Sequence, residues 1–296
     1  MSRCNLCPRR CNADRENGEK GFCRMGRTLR VARASLHMWE EPCISGTNGS
    51  GTVFFSGCTL QCVYCQNSEI AIGCNGAQIS ENDLADIFID LQRRGAHNIN
   101  LVTPTQFADS IIRALDIAKP RLNIPVVYNS GGYENAETVR MLGDYVDIWL
   151  PDFKYFYPET AKKYSHAPDY PETAMAAIGE MVRLKPKAVI SDGGIMQSGV
   201  IVRHLLLPGN LSNSKKCVEY IYKTFGDSVC ISIMGQYTPA VHSDKYPELN
   251  EKASRREYEK LIDYALSLEV TNAYIQESGS DSAAFIPKFG KNEIIF

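Results

Sequence analysis

The sequence predicts an α/β fold, a parallel sheet wound with helices behind a small Cys-rich module. Three observations carry the prediction. From Gly51 onward, short β-branched or aromatic runs alternate with helical patterns, which implies parallel strands joined by right-handed crossovers. Polar and glycine-rich residues collect just after each run, where the active site of such a sheet is built. Eight of the eleven cysteines fall before residue 66. Tight cysteine clusters in a chain of this length more often bind metal than form disulfides.

Strands are expected at Thr52–Ser56, Asn98–Val102, Pro125–Tyr128, Val146–Leu150, Val200–Leu206, Val229–Ile233 and Ala273–Ile275. Each is a short run rich in β-branched or aromatic residues. Polar stretches follow the first six: the cysteine loop, Thr103-Pro104-Thr105, Asn129-Ser130-Gly131-Gly132, Asp152-Phe153-Lys154, Pro208-Gly209-Asn210 and Gly235-Gln236-Tyr237. The clearest helix is Ser80–Arg94. Ser80 and Asp83 make a capping box, Leu84, Ile87, Phe88 and Leu91 share one face, and Gly95 stops it. Ser254 with Glu257 repeats the signature ahead of Tyr258, Leu261, Ile262 and Ala265. Further helices are expected near 106–118, 135–143, 171–184 and 213–225. Residues 1–45 show little periodicity and are read as a Cys-rich metal-binding module. Residues 46–296 are read as the sheet domain, ending in a tail, GSDSAAFIPKFGKNEIIF, that packs back on it.

Composition narrows the function classes. Hydrophobic residues are 44% and charged residues 22% of the 296, ordinary for a soluble globular protein. A net charge of −2 gives no reason to expect binding to nucleic acid over the whole surface. No apolar run reaches the length of a membrane span, and the start, MSRCNLCPRRC, lacks the apolar core of a secretory signal. The expected setting is a reducing cytoplasm.

Cys58, Cys62 and Cys65 are spaced C-x3-C-x2-C directly after the first strand, with no fourth cysteine at matching spacing. A structural zinc site takes four ligands. A cubane iron–sulfur cluster has four irons, so three thiolates leave one iron open to another ligand. Gly57 lets the loop backbone wrap closely. Three buried cysteines acting as small hydrophobes are the bland alternative, and the spacing after a strand argues against it.

The loop Cys58-Thr-Leu-Gln-Cys62-Val-Tyr64-Cys65 resembles the signature of the radical S-adenosylmethionine superfamily, the aromatic residue before the third cysteine included. The stretches GSGTVFFSGCTLQCVYCQN, DIWLPDFKY and VRHLLLPGN resemble the pyruvate formate-lyase activating-enzyme branch, and more narrowly its uncharacterised relatives with an N-terminal cysteine module. The resemblance covers roughly residues 1 to 280. It implies a partial (β/α)6 TIM-like barrel with a 4Fe–4S cluster on Cys58, Cys62 and Cys65. The open iron would take the amino and carboxylate groups of S-adenosylmethionine, whose reductive cleavage yields a 5′-deoxyadenosyl radical.

Carried over residue by residue, the resemblance puts Tyr64 near the adenine and Asp152 and Lys154 beside the ligand, with Lys154 on its carboxylate. Arg203 on the fifth strand would face the same ligand. Asn129 and Ser130 would meet its sugar or amino group. An ordinary surface ion pair is the alternative for Asp152 and Lys154. The chain departs from the pattern twice. Relatives often carry Gly-Gly-Glu after the second strand, where Val102-Thr103-Pro104-Thr105 stands here. The activating enzymes have a histidine before Met-Gly on the sixth strand, where Ser232 stands here.

Cys4, Cys7, Cys11 and Cys23, spaced C-x2-C-x3-C-x11-C, can close a zinc site or hold an auxiliary iron–sulfur cluster. Pro8, Gly18, Gly21 and Gly26 suit tight metal-binding turns. Cys43, Cys74, Cys217 and Cys230 lack partners at ligand spacing and read as packing residues. Residues 1 to 33 hold nine basic and three acidic side chains. A basic metal module can contact nucleic acid. Without interleaved aromatics, a solvated shell or a docking face for an acidic partner is the preferred reading. The expected function is a radical S-adenosylmethionine enzyme that activates a protein, by analogy as a glycyl radical, with a flavodoxin or ferredoxin as electron donor. Radical chemistry on a peptide, nucleotide or small molecule is the second reading. A non-catalytic metal module on nucleic acid is the third.

Overall fold

The computed structural model describes residues 3–239 and 242–276; the expected tail lies outside them. The sheet begins with β1 (Leu29–His37). A short helix, α1 (Pro42–Ser45), leads into β2 (Ser50–Phe55). Helix α2 (Ser68–Ala71) and β3 (Ala77–Ile79) follow the cysteine loop. Then α3 (Glu81–Arg93) feeds β4 (Ile99–Val102), α4 (Ala108–Ala118) feeds β5 (Val126–Ser130), and α5 (Ala136–Leu142) feeds β6 (Ile148–Pro151). Helices α6 (Pro158–Ser165) and α7 (Tyr170–Leu184) precede β7 (Val189–Ile190) and β8 (Met196–Leu205). The described chain finishes with α8 (Leu211–Phe225), β9 (Cys230–Met234), α9 (Arg255–Ser267) and β10 (Ala273–Ile275).

Along the sheet the order is β10-β9-β8-β6-β5-β4-β2-β1-β3, with β7 on β8. The run from β2 to β10 is parallel throughout, and its seven strands are the seven expected ones. The sheet is not closed, which agrees with the partial barrel implied by the resemblance. Helix α3 carries the expected capping box, with Ser80 accepting from the Asp83 amide. No helix among the described residues is long and apolar enough to cross a membrane.

Three strands were not expected, and β1 matters most. It pairs antiparallel with β2, and its register shifts between Val31 and Arg33. That irregularity breaks the period-two alternation by which a strand is recognised. The expected module boundary near residue 45 therefore falls beyond a strand of the main sheet, and the Cys-rich stretch proper ends before Leu29.

The parallel strands alternate their side chains between two faces. Val53, Phe55, Ile99 and Leu101 pack outward on α3 and α4 through Leu84, Phe88, Ile111 and Leu115. Tyr128, Trp149, Val202 and Ile231 pack outward in a second large cluster with residues of α5, α7 and α8. The inner face carries Val127, Ile148, Leu150, Ile201 and Cys230, and into them fit Cys43 and Ile44 of α1. Because β1 runs against β2, with His37 opposite Ser50, it delivers the segment from Met38 to Gly46 to the N-terminal ends of the parallel strands. That segment is the floor of the barrel. Above it, at the C-terminal half of the strands, the inner face turns polar.

Candidate active site

Gly57 opens the loop after β2 with φ +80, and a Cβ there would lie 2.5 Å from the Cys23 carbonyl oxygen and from Met25 Cγ. Only glycine lets the N-terminal segment rest on the loop this closely. Gln61 sits at φ +53, and its Nε2 donates to the Phe22 carbonyl at 2.6 Å. The loop then places three sulfurs together. Cys58 Sγ accepts from the Leu60 amide at 3.4 Å. Cys62 Sγ accepts from the Ser165 hydroxyl at 3.0 Å. Burial pushes the Cys58 thiol up to about 11, with the neighbouring Cys62 adding to it. Burial, then Cys58 and Cys62, push Cys65 up to about 12. All are free of disulfides.

Buried thiols that raise one another in this way become thiolates only against concentrated positive charge, which iron supplies. Donors already aimed at the sulfurs suit thiolates bound to an iron–sulfur cluster. Among the described residues no group of three or more His, Cys, Asp or Glu side chains is arranged to hold a single metal ion. In a cubane each thiolate binds a different iron, so no single-ion geometry is required. The residues fit the cluster.

The polar inner face beside this loop is one connected network. Lys154 Nζ meets Asp152 Oδ2 at 2.5 Å. Arg203 Nε meets Asp152 Oδ1 at 3.0 Å, its NH1 meets Glu40 Oε2 at 3.1 Å, and its NH2 meets Asn129 Oδ1 at 2.5 Å. Glu40 Oε1 accepts from Asn100 Nδ2 at 3.0 Å and from Asn129 Nδ2 at 3.3 Å. Burial opposes the charge on Asp152, but Lys154 and Arg203 outweigh it and hold the carboxyl below its usual range. Burial likewise opposes Lys154, and Asp152 leads the charges that hold its pKa up. The cysteine loop also bears on Lys154, through the electrostatic influence of Cys62.

The sequence-predicted residues Asn129, Asp152, Lys154 and Arg203 are thus assembled. Ser130, next along β5, is placed differently: its Oγ accepts from the Gly132 amide at 3.3 Å and its side chain bonds to Glu134. Period-two alternation puts Asn129 inside and Ser130 outside. Tyr64 donates to or accepts from Tyr155 at 2.8 Å, and its ring meets Tyr164 and Tyr237 edge-on.

Sequence reasoning missed three residues here. Glu40 reaches Arg203 from the floor, and no strand-end rule points to it. Glu134 is buried against Thr105 and Tyr128, and burial pushes its carboxyl up to about 7. Arg9 is the third. Its guanidinium donates to the carbonyls of Thr59 (2.8 Å), Ser165 (2.9 Å) and His166 (2.6 Å), and lies 4.1 Å from the Phe22 ring centroid. With Gln61, this side chain clamps the Cys-rich stretch to the loop. An arginine among many in a basic segment gives no sequence signal of that role.

Cys4, Cys7, Cys11 and Cys23 lie near one another, without the arrangement that holds a single ion. Cys11 and Cys23 Sγ lie 3.0 and 3.5 Å from where a Gly21 Cβ would stand. Burial raises Cys7 to about 12, and Cys23 and Cys4 add to the rise. Cys4 Sγ lies 3.8 Å from Arg15 NH1. The stretch docks on α5, where Asn135 and Thr138 side chains donate to the Asn5 and Leu6 carbonyls at 2.6 and 2.8 Å.

The family model described as the Radical SAM superfamily matches residues 52–205, which includes the cysteine loop, Asp152, Lys154 and Arg203. The chain belongs to the radical SAM superfamily. An uncharacterised protein of Methanocaldococcus jannaschii is 30% identical over 272 residues, covering 88% of this chain and 74% of that protein. Among solved structures, SuiB of Streptococcus suis bound to the precursor peptide SuiA aligns with a TM-score of 0.52 at 14% identity, over 75% of this chain and 47% of that one. SuiB bound to S-adenosylmethionine aligns with a TM-score of 0.51 at 15% identity, over 75% and 48%. The chain spans about half the length of these solved structures, and the likeness is one of fold. As a member of the superfamily the chain is an enzyme of radical SAM type, and a 4Fe–4S cluster and S-adenosylmethionine are the cofactors that membership implies.

Proposed function

We propose that this radical SAM enzyme acts on a polypeptide, in the manner of an enzyme that installs a glycyl radical. The observation that carries the reading is the Lys154–Asp152–Arg203–Asn129 network beside the three-thiol loop. It assembles the residues by which DIWLPDFKY and VRHLLLPGN resemble the activating-enzyme branch. Cys58, Cys62 and Cys65 would hold the cluster. When bound there, the cluster would supply the electron for reductive cleavage of S-adenosylmethionine and so the means of hydrogen abstraction from the substrate.

The chain's own residues do the positioning. Lys154, fixed by Asp152, presents a buried ammonium suited to the ligand's carboxylate. Tyr64, held by Tyr155 and edged by Tyr164 and Tyr237, offers an aromatic wall for the adenine. Leu60 and Cys62 are packed in the main core, which excludes water beside the loop. A flavodoxin or ferredoxin would deliver the electron. A peptide rather than a protein is the second reading, favoured by the fold-level likeness to SuiB, whose structure holds a precursor peptide. At the Cys-rich stretch we propose a second metal group, zinc or an auxiliary cluster, on Cys4, Cys7, Cys11 and Cys23.

The test is anaerobic reconstitution followed by reduction in the presence of S-adenosylmethionine. Wild type should form 5′-deoxyadenosine, and Cys58→Ala, Cys62→Ala and Cys65→Ala should each abolish it, since two thiolates anchor a cubane poorly. Product undiminished in all three variants would refute the cluster assignment. Deuterium from a labelled polypeptide appearing in the 5′-deoxyadenosine would support the substrate class.

A further inference from the structure

Between the cysteine loop and the end of α6 runs a continuous chain of hydroxyl groups. Ser165 Oγ lies 3.0 Å from Cys62 Sγ. Tyr155 Oη lies 2.7 Å from Ser165 Oγ, and Tyr64 Oη lies 2.8 Å from Tyr155 Oη. Cys62, Ser165 and Tyr155 are buried. The chain begins at one of the three loop sulfurs and ends at the ring proposed as the adenine wall.

Ser165 is the last residue of α6, and that turn is locked against the loop. His166 follows in the left-handed region at φ 51 and closes the helix. The Val63 amide donates to the Tyr164 carbonyl at 2.9 Å, and Arg9 donates to the Ser165 and His166 carbonyls. A helical serine commonly returns its hydroxyl to the carbonyl four residues back. Ser165 turns it to sulfur instead. The direction of the protons follows from the sulfur. As a thiolate, Cys62 only accepts, so Ser165 donates to Cys62, Tyr155 to Ser165, and Tyr64 to Tyr155. Each hydroxyl has one proton, and each points it toward the loop.

We propose that Ser165 and Tyr155 are positioning residues that set how readily a cluster on Cys58, Cys62 and Cys65 takes up its electron, and that they tie this property to the ring of Tyr64. The proposal rests on the reading of those three cysteines as cluster ligands. A hydroxyl donating to a thiolate draws electron density from the sulfur, which favours the more negative, reduced state. The next hydroxyl behind it strengthens that donation, because hydrogen bonds aligned in one direction polarise one another, most of all in a buried site. Neither residue needs to touch the reacting atoms. Ser165 acts through Cys62, and Tyr155 acts through Ser165 on one side and Tyr64 on the other.

The test is a redox titration of the anaerobically reconstituted full chain. It follows the electron paramagnetic resonance signal that changes when S-adenosylmethionine is added, which marks the barrel cluster. At the wild-type midpoint, Ser165→Ala should lower the ratio of reduced to oxidised cluster about tenfold, the scale of one hydrogen bond and a shift of about 59 mV for one electron. Tyr155→Phe keeps the Ser165 hydroxyl and should lower the ratio by about threefold. It removes a single oxygen, and it carries the test alone if Ser165→Ala loads no iron. Tyr164→Phe deletes a hydroxyl one residue earlier on α6, bonded to Glu248 and not to the loop, and should leave the ratio at its wild-type value. A fall of less than about threefold in Ser165→Ala overturns the proposal. So does an equal fall in Tyr164→Phe, which would trace the effect to disturbed packing of the helix. A wild-type ratio in Tyr155→Phe overturns the link from the sulfur to Tyr64. Failure of the wild type to load iron is a separate result, and it strikes the cluster assignment instead.

Discussion

Arg203 has donors on three sides, and the barrel uses all of them. Asp152, Glu40 and Asn129 each take one. The resemblance expected this arginine to face S-adenosylmethionine as Lys154 does, and its guanidinium also holds three other residues in place. The two positions should therefore separate on substitution. On the proposed reading, Lys154→Ala would remove one charge-assisted contact to the ligand, worth ~1.5–3 kcal/mol, so S-adenosylmethionine affinity should fall about tenfold or more, with a smaller loss of Tm because Asp152 keeps Arg203. Arg203→Ala leaves Glu40 without an ion-pair partner and Asp152 with Lys154 alone, and should destabilise the fold by roughly 3–5 kcal/mol before ligand is added. Calorimetric binding beside thermal unfolding checks this. Equal Tm losses for the two variants would mean that the network is not anchored by the arginine.

At the scale of elements, the cysteine loop is positioned from outside the sheet. Arg9 donates to the carbonyls of Thr59, Ser165 and His166, and those carbonyls flank Cys58 and Cys62. Its planar fork spans acceptors on two separate segments, which a lysine's compact ammonium reaches less well. Arg9→Lys should therefore lower iron loading at the loop and cost about 1–3 kcal/mol in stability, while far-ultraviolet circular dichroism stays native. Full loading at unchanged stability would show that the clamp is dispensable. The seven parallel strands were legible in the sequence because each is a short apolar run ended by a polar turn. The loop was legible because three thiols at fixed spacing have few other uses. Strand β1 was hidden by its irregular register near Val31. Glu40 was hidden because it comes from the N-terminal ends of the strands, while the strand-end rule searches the opposite ends. Contacts across long sequence separations, such as Arg9 with His166 or Glu40 with Arg203, leave no trace in local pattern.

For the whole molecule, the Cys-rich stretch and the barrel are one mechanical unit. The Cys23 carbonyl lies against Gly57 so closely that no side chain fits between them, and Arg9, Gln61, Asn135 and Thr138 bridge the same boundary. A stretch this short and polar has little core of its own, so metal bound to Cys4, Cys7, Cys11 and Cys23 would supply much of its folding energy. Two metal analyses follow from that coupling. The Cys58/Cys62/Cys65 triple Ala variant should keep metal at the N-terminal site. About one zinc would identify a structural ion, and about four irons with cubane absorption an auxiliary cluster. The reciprocal Cys4→Ser and Cys23→Ser variants should lose that metal and also bind the barrel cluster weakly, because the segment that rests on Gly57 would no longer be held. Barrel iron retained at wild-type level in the reciprocal variants would show that the two sites fold independently. Metal absent from the triple variant would remove the second site altogether.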